Sequence, residues 1–143
     1  MTLINAVSPQ KELVIHTDGG SRGNPGHSAI GVVITTPEGE HLESFGNYIG
    51  ITTNNQAEYA AVVAALKSAE KYDPQKIDFY LDSELVVKQL KGEYRVKNAE
   101  LASIFTDIQK RTENLEVSFQ HVLREHNQLA DIEVNKALDE ELA

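Results

Sequence analysis

At 143 residues the chain is sized for one domain, and 41% hydrophobic residues suffice for a core, which excludes a wholly disordered chain. It holds no cysteine, which excludes disulfide scaffolds, thiolate zinc and thiol catalysis, and no apolar run approaches the ~18 residues of a membrane span. Taken globally, the net charge of −9 argues against a nucleic-acid partner, because phosphate binding usually leaves a basic footprint.

Residues 1–10 (MTLINAVSPQ) read as a flexible lead-in to a single domain over 11–143. They lack the basic start and apolar stretch of a signal peptide, so a cytoplasmic protein is expected. Residues 11–18 (KELVIHTD) alternate and are rich in Val, Ile and Thr, which predicts a strand. The next eight, 19–26, contain four glycines and a proline and predict a loop. A second strand is expected over 28–36, a hairpin turn at Pro37-Glu38-Gly39-Glu40, and a third strand over 41–49. The pattern then becomes helical over 55–71, with Val62, Leu66 and Ala69 on one face. Asn54 or Asn55 can cap that helix, and Asn55-x-x-Glu58 or Thr53-x-x-Gln56 resembles a capping box. A strand over 76–81, a short helix over 83–91 stopped by Gly92, and a helix over 99–112 capped by Asn98 follow. A fifth strand over 115–121 and a last helix over 128–141 complete the order βββαβααβα. This is an α/β pattern: a mixed sheet of about five strands, parallel where helices intervene, with helices covering its faces.

Four acids stand in unusual places. Asp18 and Asp82 each end a predicted strand, at the edge where open α/β sheets carry their sites if the two strands pair. Glu58 shares a helix stripe with Ala61, Val62 and Ala65, where a carboxylate is costly unless compensated. Asp131 leans toward the same face as Val134 and Leu138. Each alone reads as an exposed cap or ion-pair partner. All four in one pocket would repel one another and would require cations. With no cysteine and no paired histidines the suited cation is hard and oxygen-seeking, Mg²⁺ or Mn²⁺. A carboxylate-held metal pair suits phosphodiester hydrolysis.

Four motifs occur in order over residues 11–140. They are Thr17-Asp18-Gly19-Gly20 with Asn24-Pro25-Gly26, and Thr52-Thr53-Asn54-Asn55-Gln56-Ala57-Glu58-Tyr59. The others are Asp82-Ser83-Glu84-Leu85-Val86, and Arg124-Glu125-His126-Asn127 with Ala130-Asp131. On these motifs the chain closely resembles type 1 ribonuclease H. The resemblance implies a ribonuclease H-like fold with strand order 3-2-1-4-5. It implies hydrolysis of the RNA strand of RNA–DNA hybrids, leaving 5′-phosphate and 3′-hydroxyl ends. It implies two Mg²⁺ ions per site, with Mn²⁺ as substitute, held by Asp18, Glu58, Asp82 and Asp131. Asp18 would bridge both ions, and Glu58 would also touch a ribose 2′-hydroxyl. A monomer is expected, with no membrane partner.

Substrate contacts are expected from Gly19, Gly20, Asn24, Thr53, Asn54, Asn55, Gln56, Ser83 and Asn127. A glycine loop lets backbone approach the minor groove, and amides address the 2′-hydroxyls that mark RNA. Thr53, Asn54 and Asn55 open a helix, whose free N–H groups favour a phosphate. The resemblance assigns the DNA-strand phosphate to Thr53, and base or sugar edges to Asn54 and Asn55.

The chain also departs from better-known bacterial members. Only residues 92–97 link the second and third helices, so the family's basic handle is missing. Lys88, Lys91, Arg95 and Lys97, offset by Glu93, form a local basic segment read as a phosphate-tracking patch; cations also gather at helix C-termini without that role. The loop before Asp131 is short. Arg124 stands seven residues before Asp131; the resemblance to short-loop members implies that it replaces the family's catalytic histidine in assisting product release or phosphate positioning, with His126 as the second candidate. Some short-loop members attack double-stranded RNA, which is a possible second substrate. His16 reads as structural, and the extra charge of Glu133 beside the site has no account from sequence.

Two other readings compete. Another metal-dependent nuclease on the same fold is disfavoured by Asn24, Asn54 and Asn55, and a non-catalytic hybrid-binding module by the presence of all four carboxylates. Residues 131–143 hold five acids against Lys136 alone, whereas 88–97 is locally basic. Charge placement therefore outweighs the sum, and modest, salt-sensitive hybrid affinity is expected.

Overall fold

Alternation in β1 (Glu12–Arg22) sends Leu13 and Ile15 into one layer of core, and every later element is placed relative to this strand. The computed structural model describes residues 8–143; the part of the lead-in over 1–7 lies outside the described residues. After β1 come β2 (Gly26–Thr35), β3 (His41–Thr52), α1 (Asn54–Ala69), β4 (Lys76–Leu81) and α2 (Glu84–Leu90). The chain ends with α3 (Ala99–Thr112), β5 (Glu116–His121) and α4 (Gln128–Leu142). Short 3₁₀ turns span Glu70–Tyr72 and Arg124–His126.

The sheet order is β3-β2-β1-β4-β5, as the resemblance implies. The β1–β2 and β2–β3 pairs are antiparallel, as expected of hairpin-linked strands. The β1–β4 and β4–β5 pairs are parallel, as expected of strands separated by helices. On one face Tyr59, Val62, Val86, Leu101 and Ile108 from α1, α2 and α3 pack on Ile15, Val32, Phe79 and Leu81. On the other, Val134, Ala137 and Leu138 of α4 pack on Ala29. No helix among the described residues is long and apolar enough to cross a membrane.

The expected loop over 19–26 is mostly strand. β1 continues through Gly19 and Gly20 and stays paired to β2 as far as Arg22↔His27, so the turn is confined to Gly23-Asn24-Pro25. The reason lies in packing. A Cβ on Gly19 would collide with the backbone of Ala57 and Glu58, so this glycine is required by the crossing of α1 over β1. A second close approach sets α4. Gly31 and Gly46 pair in register across β2 and β3, and a Cβ on either would strike the α4 backbone at Ala130 or Glu133. The helix therefore lies directly on the sheet. The same contact accounts for Glu133: its backbone and Cβ cover the two glycines, and its Oε1 is 3.8 Å from Lys136 Nζ.

At the helix starts, Thr53 closes a full capping box with Gln56, which decides between the two boxes the sequence allowed. Ser83 caps α2, and Asn98 caps α3 as expected.

Candidate active site

The parallel register of β1 and β4 ends at His16↔Tyr80. Two residues further along each strand, Asp18 comes level with Asp82, just past the end of β4. The α1 crossing at Gly19 adds Glu58, whose Oε1 accepts from the Gly19 N–H at 2.8 Å. One carboxylate oxygen from each of Asp18, Glu58 and Asp82 lies within 4.8 Å of the others. Asp131 stands outside that trio, yet it lines the same cleft, and its charge reaches Asp18. The cleft holds about 470 Å³ and is also lined by Gly20, Ser21, Asn54, Asn55, Ser83 and Arg124.

Asp18 and Glu58 are only 7% and 5% exposed. Burial, then the Glu58 and Asp82 carboxylates, pushes the Asp18 pKa far above the ordinary carboxylate range. Burial also raises Glu58, although the Gly19 N–H, the adjacent Asp18 carboxyl and the Arg124 charge pull the other way. Without a compensating cation the pair therefore retains a proton. Glu58 Oε2 is buried without a hydrogen-bond partner, a costly arrangement for a carboxylate oxygen. Hard oxygen donors, mutual repulsion and an orphaned oxygen together fit a divalent cation such as Mg²⁺ or Mn²⁺.

The amides beside the carboxylates are oriented by the backbone. Asn54 Oδ1 accepts from the Ser21 N–H, and Asn24 Oδ1 accepts from the Asn54 N–H, each at 3.0 Å. With both oxygens engaged, each side chain is left presenting its NH₂ donors. Asn55 and Gly20 line the cleft, as does Ser83, whose Oγ accepts from the Val86 N–H at 3.3 Å.

Gly19 also lines the cleft, although it is buried with its N–H held by Glu58. Other expected substrate contacts lie outside it. The Thr53 hydroxyl accepts from the Gln56 N–H at 3.2 Å, and the Gln56 side chain bonds Thr53, Thr52 and Glu100 of α3. These two residues fasten the start of α1 and do not line the cleft. Asn127 is 1% exposed and does not line the cleft; its Nδ2 donates to Asp82 Oδ2 at 3.2 Å.

Arg124 and His126 separate because a 3₁₀ turn rotates about 120° per residue. Arg124 lines the carboxylate cleft, whereas His126 faces a neighbouring one with His16, Leu129 and Ile132. His16 stacks on Tyr80 with ring centroids 5.0 Å apart, in keeping with a structural role. In the basic segment, Lys88 pairs with Glu84 at 2.9 Å and lies 5.0 Å from the Tyr94 ring centroid, and Lys91 is 3.9 Å from Glu93. Arg95 and Lys97 are exposed and make no ion pair among the described residues. None of the four cations lines the cleft. Arg22 on the cleft rim went unnoticed in the sequence. It bonds Asp139 at 2.7 Å and Asn135 at 3.3 Å, partners more than a hundred positions away that no local pattern reveals.

Acids converging on the β1 and β4 ends of a 3-2-1-4-5 sheet, two of them buried, beside amides whose oxygens are held by backbone, define a nuclease of the ribonuclease H-like class. The family model described as "Reverse transcriptase-like" matches residues 16–137. Ribonuclease HI of Halobacterium salinarum is 38% identical over 146 residues, covering 94% of this chain and 69% of its own. A bifunctional protein of Mycobacterium tuberculosis is 35% identical over 130 residues, but the chain spans only 36% of its length. The solved LC11-RNase H1, crystallised with an RNA/DNA hybrid, superposes with a TM-score of 0.89 at 40% identity, covering 92% of this chain and 99% of that one. The chain belongs to the type 1 ribonuclease H family.

Proposed function

We propose that this protein is an endonuclease that hydrolyses the RNA strand of RNA–DNA hybrids, leaving 5′-phosphate and 3′-hydroxyl ends. The carrying observation is the Asp18, Glu58 and Asp82 trio within 4.8 Å, with Glu58 Oε2 lacking any partner. Asp18, Glu58, Asp82 and Asp131 would hold two Mg²⁺ ions, or Mn²⁺ in their place. When bound, such ions supply an activated water and stabilise the leaving oxygen. The chain's own residues do the rest. The Gly19 N–H holds one Glu58 oxygen, and the other is left buried without a partner. Asn24 and Asn54 offer amide donors to 2′-hydroxyls and groove acceptors, which distinguishes RNA from DNA. Arg124 places a fixed positive charge at the cleft for the scissile phosphate or the departing product. Arg95 and Lys97 track the backbone beyond the cleft, in a groove without the handle's basic surface. Residues 11–143 act as one domain in a monomeric, cytoplasmic enzyme.

The deciding experiment incubates purified protein with labelled RNA–DNA hybrid, double-stranded RNA, a DNA duplex and a DNA duplex carrying one embedded ribonucleotide, each with Mg²⁺ and with Mn²⁺. Cutting of the hybrid with either ion, and a requirement for a run of ribonucleotides, is expected. An intact hybrid under both ions overturns the reading. Comparable cutting of a DNA duplex would favour another nuclease of the same fold.

A further inference from the structure

Asn127 occupies the N-cap of α4, where an Asn side chain ordinarily accepts a first-turn N–H. Here it makes no cap hydrogen bond. Its Nδ2 donates instead to the Thr17 carbonyl at 2.9 Å and to Asp82 Oδ2 at 3.2 Å. Its backbone carries the remaining parts of the site: the N–H donates to the Arg124 carbonyl at 2.9 Å, and the carbonyl accepts from the Asp131 N–H at 3.2 Å. One buried residue thus touches the strand bearing Asp18, the carboxylate of Asp82, the turn bearing Arg124 and the helix turn bearing Asp131.

We infer that Asn127 is a positioning residue of the metal site, whose amide hydrogens orient the Asp82 carboxylate and lock β1 to that arrangement. This rests on the metal-dependent reading above. A terminal carboxylate torsion is broad on its own, so a donor held on one oxygen selects the orientation of the other. Asn127 Oδ1 is buried without a partner, so the donor side of the amide is the side this position uses. A cap would use the oxygen. A substrate contact would need exposure, and the residue is 1% exposed. Contacts that orient metal ligands are worth roughly 10–100-fold in metal affinity or activity.

The test measures Mn²⁺ binding by calorimetry or electron paramagnetic resonance for wild type, Asn127→Ala, Asp82→Asn and the double variant. Hybrid cleavage is then resolved into kcat and KM. Asn127→Ala is expected to weaken Mn²⁺ binding about tenfold and lower kcat, with KM unchanged. In the Asp82→Asn background the same change is expected to alter Mn²⁺ affinity by less than about twofold, because the two act as a unit. A folded Asn127→Ala that binds Mn²⁺ like wild type overturns the inference, whether its thermal midpoint falls or its KM rises. If the alanine variant does not fold, Asn127→Ser is judged by the same criteria. Wild type that neither binds Mn²⁺ nor cuts hybrid overturns the underlying reading instead.

Discussion

The two halves of β1 live under opposite demands. Leu13 and Ile15 are almost fully buried among apolar partners, where each lost methylene costs stability. A few residues on, Asp18 is nearly as buried but faces other carboxylates, and Gly19 has no side chain because α1 lies against it. One half stabilises the fold; the other holds a destabilising cluster that the rest of the fold sustains. Sites of this kind gain function at a cost in stability.

The largest effect that separates the halves is expected from Asp18→Asn. Removing this carboxylate should lower hybrid cleavage by more than the ~100-fold typical of an outer contact. It should also raise metal-free stability, by about 1–3 kcal/mol, by removing a buried carboxyl that the fold keeps only by taking up a proton or bearing a repelled charge. Cleavage assays and metal-free thermal melts check both, and a variant that is inactive and also less stable would break the contrast.

Gly46→Ala tests whether close packing positions the site from a distance. The added methyl should destabilise by about 1–3 kcal/mol, as overpacking does, and should lower kcat by displacing the helix that bears Asp131. Unchanged melting would mean that α4 yields without cost.

Arg124 and His126 offer a finer comparison within one turn. Arg124→Ala should lower kcat roughly tenfold, the scale of one charge-assisted hydrogen bond. His126→Ala should stay within about twofold, since surface changes away from such contacts are small. The reverse order would mean that the turn rearranges on the substrate.

The smallest effect is a slope. Because the folded pKa values of Asp18 and Glu58 are raised, the native state binds more protons than the unfolded chain above the ordinary carboxylate range. Their contribution is fully present at acid pH and is lost as pH rises toward the folded values. Burial lowers His16, which acts oppositely, but chiefly below its ordinary value of 6.5. Metal-free melting temperature should therefore fall between about pH 7 and about pH 9, and saturating Mg²⁺ should flatten the decline by replacing the proton. A flat metal-free profile would break the comparison.

Most elements were legible because their signals are local. The strand alternation over 76–81, the caps at Ser83 and Asn98, and the stripe shared by Glu58 and Val62 depend on neighbours within a turn or two. The four acids were legible too, through their places at strand ends and on helix faces. The glycines misled: Gly19 and Gly20 read as a loop, yet they continue a strand, because their lack of a side chain answers to α1 and α4 and not to chain reversal.

Residue order alone thus settled the α/β pattern, the acids and the family motifs, since periodicity, capping and charge are written in adjacent positions. The tertiary structure decided the rest. It brought three carboxylates within 4.8 Å, held the Asn24 and Asn54 amide oxygens by backbone, gave the cleft to Arg124 and not His126, and buried Asn127 outside that cleft. Those outcomes depend on strand register and on helices crossing at missing Cβ atoms. Both are contacts between segments far apart in the chain, and no local pattern encodes them.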